Sequence, residues 1–135
     1  MKRNRFFSVV GLVIMLLPAP AFAGEWEGSI QGLMCVTEGK VCPAGMEDAL
    51  IATESTFVLL TDDDTWYMLP NLDRGILARH INQRALVEGD KGERSNAIIV
   101  DVLKVWQKGK WKVAWSLEMQ QRLKEKIYSY PKKFK

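Results

Sequence analysis

One histidine, two cysteines and no C-x-x-C pair are all that this chain brings to the commonest site chemistries. Without C-x-x-C there is no thioredoxin-like redox motif, and without C-x-x-C-H no c-type haem attachment. His80 follows Arg79 beside the apolar positions of a short helical pattern, and no partner stands at motif spacing. A nucleophile and a carboxylate would have to converge on it for catalysis. A half-exposed histidine near a helix C-terminus needs no such role. Internal repeats and low-complexity linkers are also absent, which argues against a solenoid or tethered domains. Asp62-Asp63-Asp64 lacks the rest of a calcium loop, which needs Gly at its sixth place, and here that place is Tyr67. The triplet reads as a solvated turn.

No apolar run long enough to span a bilayer occurs. Phe6 to Leu17 is apolar over 12 residues but for Ser8 and Gly11, short of the ~20 that a spanning helix needs. Lys2, Arg3 and Arg5 precede it, Pro18 and Pro20 break it, and Ala21-Phe22-Ala23 supplies small residues where signal peptidase requires them. Residues 1–23 thus read as a cleavable signal peptide, cut after Ala23, with a periplasmic or secreted product. An uncleaved N-terminal anchor is the alternative. A lipid anchor is disfavoured, because Cys35 lies too far beyond the cleavage site.

The signal takes three of the 19 Lys and Arg and none of the 16 Asp and Glu. The remaining 112 residues are formally neutral and make one domain. That neutrality is unevenly spread. Residues 24–103 hold 6 basic and 14 acidic side chains, and residues 104–135 hold 10 and 2. Such a division marks either a tail for an anionic partner or a C-terminal segment folded onto its own acidic body. It argues against nucleic acid, since a phosphate backbone needs a basic groove.

Periodicity points to β-structure. Residues 25–37 form an opening strand that Gly28 and Gly32 allow to bend, and 38–48, with Gly39, Pro43 and Gly45, form a loop. Thr56–Thr61 and Thr65–Leu69 flank the acidic triplet as a hairpin. Asn71 or Asp73 caps a short helix through Ile76, Leu77 and Ile81. Arg84–Glu88 and Ala97–Trp106 are further strands. In the second, Ile98, Val100 and Val102 share one side, and Ile99, Leu103 and Val105 the other. Lys108-Gly109 turns the chain into a strand with Trp111, Val113 and Trp115 alternating. A helix over Ser116–Tyr128 sets Met119, Leu123 and Ile127 on one face.

This order is that of a mainly β fold, a small five-stranded OB-type Greek-key barrel with a helix between strands three and four. The barrel would occupy 24–106, and 107–135 would add a basic strand, helix and tail. The segments GSIQGLMC at 28–35, Cys42, FVLLTDDDTWYML at 57–69 and RALVEGD…AIIVDVLKV at 84–105 resemble small exported bacterial OB-fold-like proteins. That resemblance covers roughly 25–105 and implies an exported binding module without naming a ligand.

Cys35 and Cys42 are expected to form a disulfide outside the cytoplasm. Closing this eight-residue loop is worth about 2.5 kcal/mol in the chain-entropy account. The rival reading is a copper-type soft-metal site of Cys35, Cys42 and Met46, with Met34 nearby. Met34 and Cys35 are adjacent, however, and point to opposite faces of a strand.

OB barrels bind on the face of strands two and three, often on aromatics. This makes Trp66 and Tyr67 the ligand-binding candidates, one pointing in and the other out. Core packing accounts for Trp26, Trp106 and Trp111, and competes for Trp66. Lys124, Lys126, Lys132, Lys133 and Lys135 are the candidate contacts of the basic tail, to an anionic membrane surface or an acidic partner. Alternatively the helix docks on the barrel and its lysines stay solvated. The leading expectation is a non-enzymatic exported module, without a cofactor, that binds a protein, peptide or small ligand. Soft-metal binding and C-terminal attachment are the alternatives.

Overall fold

A computed structural model of the chain describes residues 24–129. The expected signal peptide and Lys132, Lys133 and Lys135 lie outside the described residues. The elements run β1 (Gly24–Gly32), α1 (Leu33–Thr37), α2 (Glu47–Thr53), β2 (Phe57–Thr61), β3 (Trp66–Met68), α3 (Arg74–Ala78), β4 (Arg84–Lys91), β5 (Ile98–Gln107), β6 (Lys110–Ser116) and α4 (Leu117–Ser129). The strands form one open sheet in the order β3-β2-β1-β4-β5-β6, every neighbour antiparallel.

The first strand in sequence is therefore internal to the sheet. Its early part pairs with β4, from Gly24 opposite Gly89 to Ser29 opposite Arg84. Its later part pairs with β2, from Gly28 opposite Thr61 to Gly32 opposite Phe57. Gly28 belongs to both ladders, and a Cβ there would stand 2.1 Å from the Leu60 carbonyl oxygen. Only glycine lets the two backbones approach so closely.

The core lies on one face of this sheet. Ile30, Leu59, Val87, Ile98, Val100 and Leu103 are fully buried there, and α3 adds Leu77 and Ala78. Burying each large aliphatic side chain stabilises the fold by roughly 1.5–3 kcal/mol. α3 starts where the sequence places it, with the Asp73 carboxylate accepting the Gly75 N–H at 2.7 Å.

Four expectations need correction. The opening strand ends at Gly32, and Leu33–Thr37 is helical instead of extended. The cause is polar bonding, to the Thr37 hydroxyl nearby and to a distant carboxylate, that outweighs the strand preference of Val36 and Thr37. The Glu54 carboxylate accepts the Met34 N–H at 2.8 Å, and the Thr37 hydroxyl reaches the Leu33 and Met34 carbonyls. In β5 the buried set is Ile98, Val100, Leu103 and Val105, so Val102 is not in phase with Val100. A bulge explains the slip: Glu88 faces Val102, Gly89 faces Val100, and Asp101 is left over.

β6 departs in the same way. Leu103 pairs with Trp115 but Lys104 with Val113, which leaves Ala114 as the extra residue. Trp115 thus enters the core while Val113 stays half exposed on the other face. Trp111 shares that outer face with its cross-strand partner Trp106, ring centroids 5.2 Å apart. The Arg84 guanidinium lies 5.7 and 5.6 Å from the two centroids and pairs with Glu27. Finally, α4 does not dock: Met119, Leu123 and Ile127 remain half exposed or more.

Candidate functional site

The segment joining β1 to β2 is held at several points. Cys35 and Cys42 lie at disulfide distance, Cα atoms 5.4 Å apart. Gln31 at the end of β1 is buried, and its Oε1 accepts the Cys42 N–H at 2.6 Å. The Cys42 sulfur in turn accepts the Gly32 N–H at 3.1 Å. At the far end the buried Glu54 takes the Met34 and Thr56 N–H groups on its two oxygens, at 2.8 and 3.1 Å. Arg74 of α3 donates to the Glu54 carbonyl through Nε and Nη2 at 3.0 and 2.8 Å, with its guanidinium 5.4 Å from the Phe57 ring centroid. A clamped loop keeps its shape when a ligand arrives, so less ordering cost opposes binding.

This loop stands beside the outer face of β2 and leaves a cleft of about 240 Å³. Leu60 forms its floor, Val36, Gly39, Lys40 and Val41 its wall, and Asp64 its end. A second recess of about 240 Å³ opens on the far side of the same wall, between Met34, Cys35, Glu38 and Leu50. Lys40 and Val41 line both. The cleft therefore combines an apolar floor with one cation and one carboxylate.

The two candidate aromatics separate as alternation requires. Tyr67 points inward, 8% exposed, with its ring 6.4 Å from Trp26 and 5.1 Å from the Lys91 ammonium. Trp66 faces Leu60 across the β2–β3 ladder and shares the outer face with it, half-buried. Of the pair, Trp66 is the one next to the cleft floor. Lys124 and Lys126 are exposed on α4, far along the chain from it. Met46 precedes α2 and is exposed. With the two sulfurs bonded to each other neither is a thiolate, so only the reduced chain presents ligands for copper. Among the described residues no cluster of three or more His, Cys, Asp and Glu is placed to hold a metal ion. The His80 Nδ1 lies 3.0 Å from Gln83 Oε1.

The turn that ends the cleft carries a perturbed acid. The Thr61 hydroxyl donates to Asp63 Oδ1 at 2.5 Å and the Thr65 N–H at 3.3 Å, holding this carboxyl below the usual aspartate range. A lowered native pKa means the charged form is favoured by folding. That stability is present above the ordinary value of ~3.9 and is lost as pH falls through the native pKa. Asp63→Asn is expected to be less stable than the parent at neutral pH and to converge with it in acid. Urea midpoints measured across that range check this, and a gap that widens in acid would contradict it.

Glu54, Gln31 and Arg74 are the residues that sequence reasoning missed. Nothing in their spacing separates Glu54 from exposed neighbours such as Asp48. The partners that bury it lie on other elements. No family model, curated protein or solved structure matches this chain.

Proposed function

We propose that the chain is an exported, non-enzymatic binding module of OB type that takes a short peptide segment or small ligand in the cleft beside β2. The carrying observation is the cleft itself, formed between a disulfide-clamped loop and the outer face of β2 with the turn that follows it. The barrel reading rests on four features: the order β1-β2-β3 on one side and β4-β5 on the other, a first strand shared by both, α3 between β3 and β4, and one parallel bridge from Met68 to Ala97. The last brings β3 to the start of β5, with the Met68 N–H donating to the Asn96 carbonyl at 2.7 Å. In this reading β6 is an added strand beside β5. The ligand face of such barrels is that of strands two and three with their flanking loops, where the cleft lies.

The lining selects the chemistry. Leu60, Val36 and Val41 suit an apolar body, with Trp66 beside them as a stacking surface. Lys40 and Asp64 suit a carboxylate and an amine or amide at its ends.

The test is a titration of the uniformly labelled protein with short peptides bearing one leucine or phenylalanine, followed by NMR. Shifts are expected at Val36, Lys40, Val41, Leu60, Asp64 and the Trp66 indole. Val41 is 64% exposed, so Val41→Asp leaves the fold intact while abolishing those shifts. Shifts gathered elsewhere, or unaltered by Val41→Asp, would overturn the reading.

A further inference from the structure

α4 follows β6 directly, with Ser116 the last residue of the strand and Leu117 the first of the helix. The Ser116 hydroxyl accepts the Met119 N–H at 3.2 Å and so caps the helix start. The helix then leaves the sheet, and none of its residues is buried. Met119, Leu123 and Ile127 are 50%, 58% and 59% exposed, a row of large apolar side chains in contact with water.

The order of charges around that row is informative. At about 100° per residue, Met119, Leu123 and Ile127 form one stripe along the helix. Arg122 and Lys126 fall on one flank of it and Lys124 on the other. Glu118 and Glu125 fall on the opposite side, where Glu118 pairs with Arg122. Cations bordering an apolar stripe, with acids turned away, are the arrangement of a helix lying in a lipid headgroup layer. The sequence continues past Ser129 as Tyr-Pro-Lys-Lys-Phe-Lys, adding three further cations and two aromatics. Spanning is excluded for α4, whose 13 residues are too few. Among the described residues no helix is long and apolar enough to cross a membrane.

A second copy of the chain fits the stripe poorly. Two such helices face to face would bring their basic flanks together. Three side chains also offer far less area than the ~1,200 Å² of a stable interface. We propose that α4 is an interfacial anchor for an anionic bilayer, with Met119, Leu123 and Ile127 against the acyl chains and Arg122, Lys124 and Lys126 among the headgroups. At physiological salt, those acidic side chains of residues 24–103 that stand more than about 8 Å from the bilayer surface are largely screened from it.

The proposal is tested by cosedimentation of the protein, without its first 23 residues, with vesicles of phosphatidylcholine containing phosphatidylserine or lacking it. Binding is expected to the anionic vesicles, weakened by salt, and at least tenfold less to the neutral ones. Lys124→Gln with Lys126→Gln should lower affinity about 25-fold, at roughly fivefold per lysine. Leu123→Asp with Ile127→Asp should abolish binding, while circular dichroism and the unfolding midpoint report an intact sheet. Val41→Asp should leave vesicle binding unchanged, which keeps this result separate from that of the cleft. Equal binding to both vesicle types, or binding indifferent to Leu123→Asp with Ile127→Asp, overturns the proposal. So does a dimer in sedimentation equilibrium that those two substitutions dissolve, because the stripe then belongs to a second copy.

Discussion

Gly28→Ala is expected to destabilise the domain by about 3 kcal/mol or more, at the upper end of what overpacking costs. The added methyl would meet the Leu60 carbonyl oxygen at 2.1 Å, the Leu60 carbonyl carbon at 2.7 Å and the Thr61 Cα at 3.0 Å. All three are backbone atoms of β2, so no side chain can rotate away to relieve the contact. Relief requires β1 and β2 to part, which breaks their ladder, and β1 is held on its other edge by β4 at the same residue. Urea unfolding monitored by tryptophan fluorescence gives the value. A loss below about 1 kcal/mol would mean that the two strands separate freely at this point.

Glu54→Ala is the second large effect, about 3 kcal/mol. The carboxylate is 3% exposed and satisfies two backbone N–H groups, those of Met34 and Thr56. Its removal leaves both donors without their acceptors, at roughly 1–3 kcal/mol for each that stays buried. Glu54→Gln should fall between the two, because the amide keeps one acceptor oxygen and offers a donor where the other stood. Hydrogen exchange adds a regional readout. Amides of α1 and the Cys35–Cys42 loop should lose protection in Glu54→Ala before those of β5 do. Uniform loss across the sheet would show that the carboxylate does not act on the loop in particular.

The parts of the fold that were legible are those fixed by neighbours in sequence. The Asp62–Asp64 turn between two apolar runs, the Asp73 cap and the β4 and β5 strands depend on residues a few positions apart. The parts that were not legible depend on distant partners. Leu33–Thr37 reads as strand until Glu54, 20 residues away from Met34, supplies an acceptor. Alternation in β5 and β6 fails at Asp101 and Ala114, and no feature of either residue announces a bulge. Trp66 and Tyr67 were legible as one inward and one outward aromatic, but which was which depended on the facing Leu60 and Leu59. The cleft wall at Lys40 and Val41 came from a stretch that reads only as loop.

The central place of β1 also governs when the sheet is able to form. Gly24 pairs with Gly89, 65 positions later, so the middle of the sheet cannot close until most of the chain is present. Contacts this distant make folding slow, because the loop between them must be ordered before pairing repays it. The β2–β3 and β5–β6 hairpins can flicker early, but the strand that joins them into one sheet commits last.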